Sequence, residues 1–137
     1  MAAPYGSPIT LENAKKAAAA AIAEARAHQW TMAVAVVDPA GHLVYFEKMD
    51  DTQTGAVTIA QAKARSGALF KRPTKAFQDV LAQGGDGFRI LGLTGAVPVE
   101  GGVPLLVDGK IIGAIGVSGG TSAEDGQCAR AAAEALR

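Results

Sequence analysis

The sequence predicts an α+β domain in which an antiparallel sheet, built from hairpins, is flanked by helices. Two observations carry this prediction: apolar, β-branched runs occur in two pairs separated by short turns, and Ala-rich segments of helical character surround these pairs. The resulting order is α-β-β-α-α-β-β-α, in which hairpins rather than βαβ units dominate. A length of 137 residues suits one domain. We assign residues 1–9 to an irregular lead-in and residues 10–137 to that domain.

The first half of the chain predicts a helix, a hairpin and a second helix. Thr10 is placed to cap a helix that continues through an Ala-rich stretch to about Ala27. Residues 32–48 are predicted to form a hairpin. Its first strand (32–37) is almost wholly apolar, and we therefore expect this strand to be buried on both faces of the sheet. Residues 55–70 predict a helix with a stripe of small side chains, which permits close packing against a sheet or another helix.

The second half begins with a further helix and ends with another. Pro73 suits the first turn of a helix that ends near residues 83–85, where glycines follow. A short extra strand is expected near residues 96–99. Thr121 and Glu124 have the spacing of a capping box and begin the last helix.

The clearest local signal in the chain is a hairpin pattern at residues 103–118, between the helix that begins near Pro73 and the last helix. The dipeptide at 108–109 is Asp-Gly, and it separates the apolar runs 103–107 and 110–118. This arrangement is typical of a hairpin with a type I′ turn. Gly113 and Gly116 fall inside the second run, and they predict a bulge or a close contact with a neighbouring element.

Composition excludes several classes of protein. Thirteen Lys and Arg balance 13 Asp and Glu, so the chain lacks the basic excess of a nucleic-acid-binding protein. Cys128 is the only cysteine, which excludes an internal disulfide and a cysteine-cluster metal site. Two histidines cannot form a three-histidine metal centre. No apolar run approaches the ~18 residues of a membrane-spanning helix, so we expect no membrane span.

The two histidines are candidate ligands of a heme iron or another metal. His28 ends the first helix, where the helix dipole also favours a cationic side chain for structural reasons. His42 follows a turn at the start of a strand, and its alternatives are a ligand, an acid–base group or a plain surface residue. Met49 is a candidate soft ligand, although Met more often fills a core.

Charged residues suggest an anion-binding region. Five cations without an intervening acid lie between residues 63 and 75, and they form either a solvated face or a clamp for carboxylates; they are Lys63, Arg65, Lys71, Arg72 and Lys75. Glu100 is followed by Gly101 and Gly102, which would let backbone N–H groups approach a ligand. Glu100 is therefore a candidate general base or, equally, part of a structural turn.

Taken together, several motifs resemble the GlcG/HbpS family of bacterial heme-binding and heme-degrading proteins, which is related to the PduO C-terminal domain. The resemblance covers nearly the whole chain, from Thr10 to Leu136, and its hairpin block is the most specific part. Ser66 departs from the pattern, where Thr is expected. The motifs lie at residues 33–38, 41–44, 48–50, 60–65, 72–74, 100–105 and 108–119, and the last one extends to Asp125.

This resemblance implies a profilin-like fold, assembly into dimers or larger rings such as octamers, and heme as the suspected cofactor. It implies heme degradation, iron release or redox sensing as the role. The iron would be held by His28 or, second in preference, His42, and any metal would be bound only through heme. The propionates would be held by Lys63, Arg65 and Arg72, and the residues expected in the ligand pocket are Met49, Gly101, Gly102 and Asp125.

Two other functions remain open. One is an enzyme acting on an organic acid or an intermediate of aromatic breakdown, with Glu100 or Asp50 as acid–base group and Lys63 or Arg65 holding a carboxylate. The other is an accessory oligomer without a ligand. The compartment also stays open, because a lone cysteine suits reducing and oxidising surroundings alike. Alternatives are the bacterial cytoplasm and, if an export signal was trimmed before Ala2 or Ala3, the periplasm or the exterior.

Overall fold

The computed structural model describes residues 2–137 and confirms the predicted α+β order. Within this range, no helix is both long enough and apolar enough to cross a membrane. The elements, with a 3-10 helix between α3 and β3, are α1 (Leu11–Ala27), β1 (Ala33–Val37), β2 (Leu43–Lys48), α2 (Ala56–Phe70), α3 (Thr74–Ala82), the 3-10 helix (Gly85–Gly92), β3 (Gly102–Val107), β4 (Lys110–Ser118) and α4 (Ser122–Ala135).

The four strands form one antiparallel sheet in the order β2-β1-β4-β3. Each hairpin contributes one central and one edge strand, and β1 joins the hairpins by pairing with β4, where Val36 lies opposite Ile115. The register of β3 and β4 shifts between Leu105 and Leu106, so the predicted irregularity in this hairpin is present. The sheet is thus a continuous platform for helices on both faces.

Alternate residues of β1 face two different helical layers. Val34 and Val36 point into the main core, which α1 and α4 cover. Ala33 and Ala35 point to the opposite face and pack under α2. All five residues of β1 are buried, as the apolar run predicted. Small residues line the α2 side, so this helix lies closer to the sheet than larger side chains would allow.

Gly116 provides the closest approach between α2 and the sheet. A Cβ atom at this position would collide with the backbone carbonyl of Ala60 and come within 2.5 Å of the Ala64 nitrogen. The contact predicted from a glycine within the strand is therefore made with the small-residue stripe of α2. This packing brings Lys63, one turn along the same helix, against the end of β4.

The helix caps agree with the sequence, and one predicted strand is absent. Thr10 Oγ1 accepts the Asn13 N–H at 3.1 Å, and Thr121 and Glu124 form the capping box reciprocally. The extra strand expected at 96–99 is wrong for the described chain. The N–H of Val97 donates to Ser66 Oγ on α2 instead of to a neighbouring strand. A side chain thus satisfies the backbone group that a sheet partner would need.

Residues 2–9, the described part of the segment assigned to the lead-in, are attached to the sheet, and Met1 lies outside the described residues. The Ile111 N–H donates to Pro4 O, and the Gly6 N–H donates to Ile111 O, both at 2.8 Å. Tyr5 also donates its hydroxyl to Ala68 O at 2.6 Å. These bonds hold the segment along the start of β4, where Ala2 and Ala3 contribute to a surface cleft.

Candidate functional site

A cleft of about 750 Å³ opens between the start of α3, the outer face of α4 and the segment 100–104. Apolar side chains cover much of its inner surface; they are Val103, Pro104, Leu106, Ile111 and Ala133. Its charged lining consists of four cations and two acids: Lys71, Lys75, Arg130, Arg137, Asp79 and Glu100. The cleft therefore has an apolar interior and a positive excess in a chain of zero net charge.

Glu100 lies at the inner end of this cleft and is held from both sides. Its backbone N–H donates to Gln78 Oε1 at 2.7 Å. Its carboxylate accepts a 2.8 Å hydrogen bond from Arg130 Nη1, and Gly126 on α4 leaves room for this carboxylate because a Cβ there would strike it. The Glu100 side chain is 10% exposed, whereas that of Arg130 is 56% exposed. The pair thus joins a buried carboxylate to a guanidinium that still faces solvent.

The two glycines after Glu100 let the chain pass over a buried ion pair. Gly101 has a φ of +135°, and a Cβ there would lie 2.7 Å from Lys63 Nζ. Only glycine suits this combination of backbone angle and space. Thr74 at the start of α3 fixes the next residue, because its Oγ1 accepts the Gly102 N–H at 2.9 Å.

Lys63 and Asp125 form that ion pair beneath the glycines. Lys63 Nζ donates to Asp125 Oδ2 at 2.9 Å and to Val117 O at 3.0 Å. Asp125 Oδ1 accepts the Gly120 N–H at 2.9 Å. Burial raises the pKa of Asp125, and hydrogen bonding and charge from Lys63 oppose part of the rise. Lys63 and Asp125 therefore bind each other, and the Lys63 ammonium is committed to the interior rather than to a surface clamp.

A second, shallower surface lies around the turn between β1 and β2. We call it the His42 surface; its cavity of about 340 Å³ is lined by Val37, Gly41, His42, Leu43, Gln61, Ala62 and Arg65. Asp38 shapes the turn, because its Oδ1 accepts the N–H groups of Ala40 and His42 at 2.9 and 3.0 Å. Asp38 Oδ2 lies 3.5 Å from His42 Nδ1, and the His42 side chain is 76% exposed. The Nε2 atom of His42 has no hydrogen-bond partner within residues 2–137.

His28 has different surroundings at the end of α1. Its ring stacks on Trp30 with the centroids 4.5 Å apart. Its Nε2 atom lies 3.1 Å from Glu24 Oε2 and 3.2 Å from Gln127 Nε2. The hydrogen bond from Gln127 is the main cause that lowers the pKa of Glu24. His28 thus takes part in a polar cluster between α1 and α4.

The remaining sequence-predicted residues lie outside both cavities. The sulfur of Met49 accepts the Met32 N–H at 3.4 Å and packs against the main core. Asp50 is exposed in the turn after β2. Arg72 donates to Phe70 O at 2.9 Å and lies over the Phe77 ring. No described group of three His, Cys, Asp or Glu side chains is arranged to hold a metal ion.

The structure thus separates residues that the sequence grouped together. Glu100, Gly101 and Gly102 line the cleft, whereas Arg65 and His42 line the other surface. Sequence reasoning missed two cations of the cleft, Arg130 on α4 and Arg137 just after the end of α4. No local signal points to them, because Glu100 and Arg130 are 30 positions apart in the sequence and only the tertiary fold brings them together.

This arrangement defines an α+β fold with helices on both faces of a four-stranded hairpin sheet and with ligand-sized surface cavities. The family model described as "Haem degrading protein HbpS-like" matches residues 9–134. The chain belongs to this family.

Known relatives agree in sequence and in fold. Protein GlcG of Escherichia coli K12 is 43% identical over 95 residues, which are 69% of each chain. The crystal structure of the Klebsiella pneumoniae protein ORFY has a TM-score of 0.88 at 29% identity, covering 96% of this chain and 92% of that one. The structure of a PduOC:heme complex has a TM-score of 0.85 at 26% identity, covering 95% and 96%. The α+β fold is common to all these structures.

Proposed function

We propose that this protein binds heme at the His42 surface and acts in heme degradation with release of iron. Family membership and the similarity to a PduOC:heme complex support heme as the ligand class. We place heme at the His42 surface because of the geometry of His42. Its Nδ1 faces Asp38, while its exposed ring leaves Nε2 free to bind iron.

A carboxylate beside one ring nitrogen is the usual support for a metal-binding histidine. It favours the tautomer in which Nδ1 carries the proton and Nε2 presents its lone pair to a metal. Asp38 is in turn held by the turn backbone through Oδ1, so the support is itself fixed. His28 uses Nε2 for contacts with Glu24 and Gln127. The His42 side chain is also more exposed than that of His28, 76% against 44%, and the His28 ring is stacked on Trp30. These differences reverse the order of preference that the sequence suggested for the two histidines.

Neighbouring side chains suit the other parts of a heme. Arg65 is exposed on α2 beside Gly41 and can bind a propionate through its guanidinium. Leu43 and Leu69 are 51% and 37% exposed, and Leu69 also lies near Gly41. They provide apolar surface for the macrocycle next to the proposed iron ligand. When bound, heme itself supplies the redox chemistry of its degradation.

The proposed functional form is an oligomer of this chain. The 3-10 helix and the residue that follows it expose three large apolar side chains, namely Phe88 (59%), Leu91 (68%) and Leu93 (42%). We call these three residues the 3-10 patch. A concentrated group of exposed apolar side chains is typical of protein–protein contact surfaces. A symmetric contact between two copies would cover the same group on both chains.

A hemin titration of the purified protein tests the heme site. We expect a sharp Soret band that saturates at one heme per chain in the wild type and in His28→Ala. We expect His42→Ala to lose this band and Arg65→Gln to bind with at least fivefold lower affinity. Retention of the full spectrum in His42→Ala would assign the iron to another residue. A broad, non-saturating change in every variant would contradict specific heme binding.

The degradation activity has its own measurement. Heme-loaded protein is incubated aerobically with ascorbate, and iron release is followed with a ferrous chelator. We expect iron release in parallel with loss of the Soret band, at a rate above that of free hemin. A stable Soret band under these conditions would contradict the proposed activity while leaving heme binding intact.

A further inference from the structure

We propose that the cleft is a second ligand site, which binds an organic carboxylate with an apolar body. In this site Arg130 binds the carboxylate, and Glu100 positions Arg130. The proposal does not rest on heme binding, because the cleft and the His42 surface have no lining residue in common.

Charge identifies the ligand as an anion. The cleft lining carries four cations and two acids. Asp79 binds Lys75 at 2.9 Å, and Glu100 binds Arg130 at 2.8 Å. Arg137 contacts Glu134 at 3.3 Å in an exposed ion pair. Exposed ion pairs of this kind are weak, so Glu134 holds Arg137 only loosely. Lys71 lies over the Tyr5 ring, with its Nζ 4.5 Å from the centroid, and this contact leaves its charge unneutralised. The lining therefore keeps a positive excess after its internal pairs are formed.

Arg130 is the group best prepared to bind a carboxylate. A guanidinium has five N–H donors in a rigid plane, and the Glu100 contact uses Nη1. The side chain is 56% exposed, so donors remain for a ligand. Because Glu100 is buried and fixed by Gln78 and Gly126, it sets the orientation of the guanidinium before a ligand arrives. A preoriented guanidinium loses less conformational entropy on binding than a free one.

The interior of the cleft identifies the rest of the ligand. Val103, Pro104, Leu106 and Ala133 offer apolar surface, and a volume of about 750 Å³ falls within the ~300–1,000 Å³ typical of small-molecule sites. A carboxylate on an aromatic ring or a short alkyl chain satisfies both the charged rim and this interior. A small inorganic anion would leave the apolar surface exposed to water.

Titration of ¹⁵N-labelled protein with 4-phenylbutyrate, monitored by NMR, tests the site. We expect the amide signals of Gly101, Gly102 and Gly126 to shift and saturate. Neutral 4-phenylbutyramide at the same concentrations is expected to produce less than a tenth of these shifts. Arg130→Gln is expected to raise Kd at least tenfold, whereas Arg26→Gln, a matched change of an exposed arginine on α1, leaves Kd unchanged. Equal binding of the amide, or normal binding by Arg130→Gln, would overturn the proposal.

The positioning role of Glu100 has a separate readout. In Glu100→Gln we expect the Arg130 Nε–H signal to broaden in the free protein and to sharpen when 4-phenylbutyrate is bound. A signal that stays sharp in the free variant would contradict that role.

Two further outcomes address other occupants of the cleft. Inorganic phosphate that reproduces the same glycine shifts at the same concentration would show a general anion site and overturn the need for an apolar body. Glycine signals that respond to protein dilution but not to 4-phenylbutyrate would show that a second copy of the chain covers the cleft, and would overturn the proposal as well.

Discussion

Lys63 Nζ donates to Asp125 Oδ2 at 2.9 Å, and the two side chains are 1% and 4% exposed. The contact joins α2 to α4 across the end of β4, where Lys63 also bonds to Val117 O. Gly101 lies directly against both side chains, and Gly102 lies against the Lys63 backbone. The pair therefore supports the segment that forms the inner wall of the cleft, although neither side chain reaches the ligand space.

Removal of one partner of this pair should destabilise the protein strongly. Asp125→Asn leaves the Lys63 ammonium buried without its counter-charge, and we expect a loss of about 3–5 kcal/mol in the free energy of unfolding. Urea denaturation followed by circular dichroism measures it. Asp79→Asn, which breaks the exposed pair with Lys75, is the matched control and should change stability by less than about 0.5 kcal/mol. Similar losses in both variants would contradict a special role for the buried pair.

Gly116 should tolerate no side chain. Gly116→Ala pushes a methyl group into the backbone of α2 at Ala60, and we expect a loss of about 1–3 kcal/mol or more, as for other overpacked sites. The control is Gly55→Ala, where a Cβ meets nothing within 4 Å. Thermal unfolding of both variants distinguishes them, and a Tm for Gly116→Ala equal to that of the wild type would disprove the close packing.

Cys128 should be unreactive in the native protein. Burial is the main cause that raises the pKa of its thiol to about 12, so almost no thiolate is present at pH 8. We expect Ellman's reagent to label it only at the rate of unfolding and to label it fully in guanidinium chloride. Rapid labelling of the folded protein would show that the thiol is accessible and ionised.

The same pKa shift predicts an alkaline loss of stability. The folded pKa lies above the unfolded value of about 8.5, so the protonated thiol contributes stability below pH 8.5, and this contribution declines as pH rises toward 12. Between pH 8 and 10.5 the urea midpoint of the wild type should fall more steeply than that of Cys128→Ala. Parallel curves for the two proteins would refute the linkage.

Asp38 should control heme affinity through His42. Asp38→Ala removes the carboxylate near His42 Nδ1 and two hydrogen bonds of the turn. By analogy with other carboxylates that support a ligating histidine, we expect hemin affinity to fall ~10–100-fold. Asp38→Asn keeps an acceptor for the turn and should retain more affinity than Asp38→Ala. If both variants bind hemin as the wild type does, Asp38 has no supporting role.

The 3-10 patch should determine self-association. Leu91→Asp places a charge at the most exposed position of the patch, and we expect the assembly to dissociate to the 13.9 kDa monomer. Leu11→Asp changes a leucine of similar exposure, 52%, on α1 and should leave the assembly intact. Size-exclusion chromatography with light scattering measures the mass. A monomeric wild type at all concentrations would disprove the proposed oligomer.

Local patterns were sufficient for most of the fold. The hairpin at 108–109, the capping box at Thr121 and the small-residue stripe of α2 each depend on neighbours close in sequence, and each is present. The strand expected at 96–99 was wrong because Ser66, some 30 residues away, satisfies the Val97 N–H. Propensity alone carries no information about such a distant partner.

The sequence by itself determined the α+β class, the order of helices and strands, the family resemblance, and the importance of the glycines after Glu100. The tertiary structure alone decided which charged groups work together. It buries Lys63 against Asp125, exposes Arg130 beside Glu100, and leaves Nε2 of His42 open to solvent whereas Nε2 of His28 contacts Glu24 and Gln127. The physical reason is that burial and ion pairing depend on contacts between residues far apart in the chain, whereas turns, caps and hydrophobic periodicity are set within a few residues.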